Sequence, residues 1–251
     1  PSTTTAKRAH RSLSTVSHVR RSWDTESLPS GEEKARAVRE MFDAIAPRYD
    51  VVNRIMTFRL DVRWRRTTVK ALALPPRSTV LDIASGTGDF CRELAKQNLI
   101  PLSFDFSFGM LAADTSGAPR TQADALSLPI HDGSVDGVSC GFALRNFVDL
   151  ASFFGELARV TRSGGRIALL DVSVPTNPLI RLGNSVYFGR VVPRIGALLS
   201  DGPAYRYLPR SVSYLPDPSR LCQMISDSGF ADVEHRQLSG GLTQLLTATR
   251  A

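Results

Sequence analysis

The sequence predicts an α/β fold: a doubly wound, mostly parallel sheet of seven strands that ends in an antiparallel C-terminal hairpin. Three observations predict it. From Thr79 to Val172 short apolar runs alternate with helical patterns, the order that parallel βαβ units require. The first of these runs ends in a turn of small residues, Ala84-Ser85-Gly86-Thr87-Gly88, directly before a helical pattern. The last two runs are joined by Gly240-Gly241, a connection that suits adjacent antiparallel strands and not a crossover.

Residues 1–31 are rich in Ser, Thr and Arg, lack hydrophobic periodicity and end at Leu28-Pro29-Ser30-Gly31, which predicts a flexible tail. From Glu32 the pattern becomes helical, with Val38, Met41, Phe42 and Ile45 at helical spacing until Pro47 disfavours helix at Ala46. A second helical stretch from Asp61 to Leu74 stops before Pro75-Pro76. The strands are then expected at Thr79 to Ile83, Pro101 to Phe104, near Thr121, Val135 to Cys140 and Arg166 to Val172. Helices are expected between them at Gly88 to Gln97, Phe108 to Asp114 and Leu150 to Arg162. A helix at Asp217 to Ser228 leads into the hairpin Ala231 to Leu238 and Leu242 to Thr249. Residues 32–251 thus read as one domain with N-terminal helices over 32–75 and an inserted segment over 175–214.

The chain has 251 residues with 42% apolar and 22% charged content, and no apolar run reaches the roughly 18 to 20 residues of a membrane span. A net charge of +7 would point to nucleic acid if it lay on the folded surface. It does not: five of the basic residues lie within residues 1–23, which hold no acid, while the other 228 residues carry 26 basic against 24 acidic side chains. Nucleic-acid binding by the body is not expected. The tail itself reads first as a solvated bacterial tail, with an organelle transit peptide and an attachment to anionic lipid as the alternatives. Cys91, Cys140 and Cys222 form no close pair, which favours a reducing compartment, and the four histidines lack metal-ligand spacing.

The chemistry concentrates at the first turn. Asp82 ends the first apolar strand, Gly86, Thr87 and Gly88 let a ligand approach the backbone, and Asp89 opens the helix. Asp105, 23 positions beyond Asp82, stands after the second strand where doubly wound folds place a ribose-binding acid. The place of a third dinucleotide-motif glycine is Cys91, and two acids would repel a pyrophosphate, so the pair is expected to suit a cationic ligand instead.

This arrangement resembles the nucleotide loop of class I S-adenosylmethionine-dependent methyltransferases. More specifically, Phe42-x-x-Ile45-Ala46-x-x-Tyr49-Asp50-x-x-Asn53, Trp64-Arg65, Asp124-Ala125-x-x-Leu128-Pro129, Phe142-x-Leu144-Arg145-Asn146 and Tyr205-x-Tyr207-Leu208-x-x-Ser211-Val212 resemble the ubiquinone and menaquinone biosynthesis C-methyltransferase family. The likeness runs from Phe42 to Thr249. Where that family usually has Ser-x-Gly and then His, this chain has Thr57-Phe58-Arg59 and then Asp61, and Gly141 replaces a usual serine.

The resemblance implies C-methylation of a quinol or related ring, with S-adenosylmethionine as cofactor and no metal. Demethylmenaquinol would be the acceptor; the 27 Arg against 4 Lys lean towards a bacterial gene and menaquinone chemistry. Arg145 would stabilise a phenolate, Asn146 would orient it, and Tyr49 would hydrogen-bond nearby. Asp124 and Ala125 would meet the adenine, Thr87 and Asp105 the rest of the cofactor, with Asp82, Gly86, Gly88 and Gly141 around it. Alternatives stay open: Arg145 braced by Asp149, Tyr49 as a core aromatic, and the 175–214 segment as a prenyl-holding, membrane-touching cap or as a packed lid. The cap aromatics considered are Tyr187, Phe188, Tyr205, Tyr207 and Tyr214, with Arg181, Arg190 and Arg194 among them. Another aromatic metabolite as acceptor, and a non-catalytic cofactor-binding assembly protein, are the rival functions. A cytoplasmic protein is expected, with peripheral contact at the inner face of a membrane and a homodimer as options left open. His131 and His235 read as surface residues.

Overall fold

A computed structural model of the chain describes residues 30–187, 190 and 211–251. The tail up to residue 29 and the cap residues Phe188, Arg194, Tyr205 and Tyr207 lie outside the described residues. The strands are β1 (Thr79–Ile83), β2 (Ile100–Asp105), β3 (Arg120–Gln122), β4 (Val135–Gly141), β5 (Thr161–Val172), β6 (Phe230–Leu238) and β7 (Thr243–Arg250). They form one sheet in the order β3-β2-β1-β4-β5-β7-β6. Strands β1 to β5 pair in parallel and β7 runs antiparallel between β5 and β6. The chain winds outward from β1 in one direction and then from β4 in the other, so a crevice opens at the carboxyl ends of these two strands.

Both faces of the sheet are covered, as a parallel sheet requires. On one side Leu81, Ile83, Ile167 and Leu169 pack with Phe153, Phe154 and Leu157 of α6 (Leu150–Val160) and Leu221 and Ile225 of α8 (Pro218–Asp227). On the other, Val80, Ala168 and Leu170 meet Trp64 and Val69 of α3 (Leu60–Ala71) and Phe90 and Leu94 of α4 (Asp89–Lys96). A third cluster holds Met41 and Ile45 of α1 (Gly31–Ile45), Val52 and Met56 of α2 (Tyr49–Met56) and Met110 of α5 (Phe108–Ala113). Cap residues fix helix starts: Asp149 accepts from the amides of Ala151 and Ser152, Asp217 from that of Arg220, and Ser107 from that of Met110, each such cap stabilising by about 1 kcal/mol.

Two elements depart from expectation. Pro47 does not end the helical region; Ala46–Arg48 forms one 3-10 turn and helix resumes as α2, since proline is tolerated in a first turn. Helix α6 stops at Val160 and Thr161 already pairs with Val135, with a register shift before Gly137 meets Arg166. The segment between is a bulged strand extension in which Gly164 takes φ 74°.

The connection from α2 to α3 carries backbone strain. Phe58 and Arg59 have φ 50° and 63°, and Arg59 stands where the resemblance places glycine. An L side chain in the left-handed region costs about 1 kcal/mol. Because Arg59 is exposed, Arg59→Gly is expected to stabilise the fold by about 1 kcal/mol, read as a rise in thermal unfolding midpoint; a lowered midpoint would contradict the reading.

Candidate active site

The crevice at the ends of β1, β2 and β4 is lined by Ala84, Gly86, Asp105, Phe106, Ser107, Asp124, Ala125, Gly141 and Asn146, with Val38, Arg39 and Phe42 of α1 covering it. Asp105 receives the Gly86 amide at 2.8 Å and the Ser107 amide at 2.8 Å, which fixes its carboxyl at the mouth of β2. Burial nevertheless pushes Asp105 up to about 6, the amide hydrogen bonds opposing this. Gly86 has φ 58° with no heavy atom within 4 Å of the place a Cβ would take, so that space belongs to the crevice. A carboxyl fixed by backbone amides beside a bare glycine fits a nucleoside: the glycine allows close approach and the remaining carboxyl lone pairs can accept from a ribose diol.

Three residues expected at the cofactor sit elsewhere. Asp82 has no exposed surface and lies behind the crevice wall, accepting from Ser139 Oγ at 2.8 Å and Cys91 Sγ at 3.5 Å. The parallel pairing of Asp82 with Ser139 in β4 explains the contact. Thr87 is buried and gives its hydroxyl to Asp50 at 2.5 Å. Gly88 caps α4 at φ 81°, and a Cβ there would come within 2.1 Å of Asp114 Oδ1; it is glycine for packing.

The expected pair of acids facing a cationic ligand is likewise corrected. Asp89 is held by Arg92 at 2.5 Å, Arg54 at 2.9 Å and Arg65 at 3.3 Å. Burial pushes its carboxyl up, but Arg65, Arg54 and Arg92 more than offset this and hold it below the usual carboxylate range. Its charge is spent on the protein's own guanidinium groups. Sequence reasoning missed these three arginines, although the i,i+3 spacing of Asp89 and Arg92 was readable.

A second cavity of about 440 Å³ adjoins the crevice. Phe42, Tyr49 and Phe142 line both. The second cavity's wall is largely apolar (Met41, Ile45, Met56, Phe58, Leu60, Trp64, Ile180, Leu242), and its polar groups are Asn53, Thr57, Asp61, Arg65, Arg145, Tyr187 and Thr243 besides Tyr49. Burial raises the Tyr49 hydroxyl, with Arg65 and a hydrogen bond to Asn53 opposing, so it is a hydrogen-bonding group and also packs edge-on against Phe42 with ring centroids 6.0 Å apart.

The Leu144–Asn146 segment is a 3-10 turn, and it sends consecutive side chains to different places. Arg145 lines the second cavity while Asn146 lines the crevice, so the two adjacent residues face different cavities. Arg145 is buried and ion-paired with Asp171; it also donates to Phe142 O at 2.8 Å and Ser211 Oγ at 3.1 Å. The brace with Asp149 does not form, because Asp149 caps α6. At Gly141 a Cβ would stand 2.2 Å from Phe90 Cε2; the ring fills the room a serine would need. His131 is exposed, whereas His235 is half-buried and bonded to Gln244 at 3.0 Å. Among the described residues there is no cluster of three potential metal ligands.

The fold is similar to that of solved methyltransferases of low sequence identity. One from Thermotoga maritima matches with TM-score 0.60 at 16% identity over 85% of this chain and 99% of that one. The phosphoethanolamine N-methyltransferase 2 of Haemonchus contortus, solved with S-adenosyl-L-methionine, matches with TM-score 0.55 at 14% identity over 74% of this chain and 52% of that one. The fold is that of S-adenosylmethionine-dependent methyltransferases. The ubiE/COQ5 methyltransferase family matches residues 30–250, and the chain belongs to it. It is 40% identical to the demethylmenaquinone methyltransferase of Roseiflexus castenholzii, over 90% of this chain and 99% of that protein. It is 37% identical to the ubiquinone/menaquinone biosynthesis C-methyltransferase of Geobacter sulfurreducens, over 87% and 90%.

Burial pushes Asp82 up to about 7, Ser139 and Cys91 opposing. Between its ordinary 3.8 and that value the folded protein keeps a proton that the unfolded chain has released. The stability this contributes is complete below the lower value, declines as pH rises through the window and is lost above about 7. Urea unfolding at pH 5 and pH 8 should therefore show a larger loss in the wild type than in Asp82→Asn; equal losses would refute the assignment.

Proposed function

We propose that this protein transfers a methyl group to a ring carbon of a prenylated naphthoquinol of the demethylmenaquinol type. The observation that carries the reading is the apolar second cavity, which meets the cofactor crevice at Phe42, Tyr49 and Phe142. The names of the relatives support the acceptor class.

S-adenosylmethionine, when bound, supplies a methyl carbon activated by its sulfonium. Asp105 and the Gly86 backbone would hold its ribose, Asp124 and Ala125 would border the adenine, and Asn146 would complete the wall. The protein's task is then alignment and exclusion of water. Tyr49, at the junction of the two cavities, would hydrogen-bond the ring oxygen, while Phe42 and Phe142 confine the ring plane. Arg145 hardly deprotonates, and Asp171 fixes it; as an oriented donor it would favour a phenolate over a phenol.

Delivery of a prenylated ring also needs a membrane surface. Support comes from an exposed apolar rim on the segments that also supply cavity-lining residues: Val51, Ile55 and Phe58 on one side, and Leu179, Leu182 and Val186 of α7 (Pro178–Val186) on the other. Phe58 and Tyr187 bring the two sides into ring contact at 5.8 Å, and the exposed Arg59, Arg181 and Arg190 add positive charge. No helix among the described residues is long and apolar enough to span, so contact would be interfacial.

Incubation with labelled cofactor and demethylmenaquinol should give a singly methylated ring by mass spectrometry. Methylation of small phenols alone would overturn the acceptor class. Asp105→Ala should weaken cofactor binding about 10- to 150-fold, the value of charge-assisted hydrogen bonds; unchanged affinity would sink the crevice assignment. Binding to phosphatidylglycerol vesicles should drop several-fold in the Leu179→Glu/Leu182→Glu variant while turnover of a short-chain soluble quinol holds. Equal vesicle binding by both proteins would remove the rim from the account.

A further inference from the structure

C-methylation of a quinol requires that a ring hydroxyl lose its proton, and the groups considered so far do not accept one. Arg145 is a guanidinium paired with Asp171. Tyr49 has its hydroxyl pushed upward by burial, so it holds its proton. The two histidines among the described residues, His131 and His235, do not line the cavity. One carboxylate does: Asp61, 1% exposed, in the first turn of α3.

Resting on the reading of a quinol acceptor, we propose that Asp61 is the catalytic base that takes the ring hydroxyl's proton, at a position where the resembling family usually carries histidine. The geometry is that of a prepared acceptor. Asp61 Oδ2 receives Arg65 Nη1 at 2.6 Å, and Thr57 Oγ1 lies 2.8 Å from Oδ1, its single proton shared between this carboxylate and Asn53 O at 2.8 Å. Each carboxylate oxygen has two lone-pair directions, so both contacts leave room for a further donor from the cavity. The strained turn at Phe58 and Arg59 carries the chain from α2 into α3 directly ahead of Asp61. Charged and titratable groups surround it on every side: Arg65 on its own helix, Arg54 and Tyr49 from α2, Asp89 of α4 behind Arg65, and the Arg145–Asp171 pair across the cavity.

The hydroxyl O–H bond breaks, its electron pair stays on oxygen as phenolate, and the proton moves to an Asp61 oxygen. That pair, shared onto the adjacent ring carbon, forms the new carbon–carbon bond as the donor's carbon–sulfur pair leaves on sulfur. The ring carbon then loses its hydrogen as a proton to water, restoring the aromatic ring as phenolate. Asp61 returns its proton to that oxygen, so one proton is released per turnover.

The test compares wild type, Asp61→Asn and Asp61→His on a short-chain demethylnaphthoquinol across pH, with cofactor affinity measured by calorimetry. Asp61→Asn should lower kcat about 10²- to 10⁴-fold, the range for loss of a general base, with cofactor affinity within about threefold. Asp61→His should recover activity and move the acid limb of the kcat profile towards the ordinary imidazole value of about 6.5. The proposal is overturned if Asp61→Asn keeps kcat within about threefold, or if Asp61→His leaves the acid limb where it was. A residue that only braces Arg65 would lower the melting temperature and cofactor affinity together without shifting that limb, which also counts against the proposal. Failure of the wild type itself to methylate the quinol would instead reject the acceptor reading.

Discussion

The contact on which the two cavities depend is the knot of arginines around Asp89. Arg54 reaches it from α2, Arg65 from α3 and Arg92 from its own helix. Arg92 also meets Asp50 at 3.4 Å, and Asp50 takes the Thr87 hydroxyl. The loop that carries Gly86 is therefore tied to the same helices that line the second cavity. Removing one partner of a buried pair costs about 3–5 kcal/mol because a charge is left uncompensated, and removing Asp89 would leave three cations facing one another. The knot acts on shape before it acts on any ligand: it sets the distance between a nucleoside crevice built on the sheet and a cavity roofed by α2 and α3.

Four aspartates within a short stretch of space are handled in four ways, and their surroundings decide their chemistry. Asp82 is buried with two weak neutral partners and keeps its proton up to about 7. Asp89, surrounded by guanidinium groups, stays ionised. Asp105 is buried yet bound by backbone amides at the crevice edge, an intermediate case at about 6. Asp61 has one arginine and one hydroxyl and faces the cavity. Sequence position alone made Asp82 and Asp89 look like equivalent neighbours of a cationic ligand; burial and counter-charge separate them.

The sheet was legible because its information is local and repeated. Each apolar run from Val80 to Leu170 shows a strand buried on two faces, and the Gly240-Gly241 turn shows where the chain reverses. The bulged start of β5 was not legible, since Ser163-Gly164-Gly165 reads as a break and only its pairing with β4 makes it strand. At the site, Gly86 and Asp105 were legible from their place after strands, whereas Asp124, Ala125 and Gly141 came only through the family resemblance; all of them line the crevice. The partners of Arg145 were not found, because Asp171 and Ser211 are 26 and 66 residues away in sequence and no spacing rule links them.

The short turn after β4 shows why the crevice and the second cavity are coupled in so small a space. In a 3-10 turn consecutive side chains diverge by about a third of a revolution, so Arg145 and Asn146 face different cavities from adjacent positions. Their backbone is fixed from both flanks. Phe142, at φ 60°, carries the chain off the end of β4 and presents its ring to both cavities, and Lys34 of α1 donates to Phe147 O at 2.9 Å just beyond. Burial and the nearby Arg145 bring the Lys34 ammonium down to about 8, which is the electrostatic cost of placing a second cation at this turn; the Tyr214 ring, 3.8 Å from Nζ, offsets part of it. Helix α1, the cover of the crevice, is thus anchored on the same turn that positions Arg145. A shift of α1 would displace the crevice wall and Arg145 of the second cavity together.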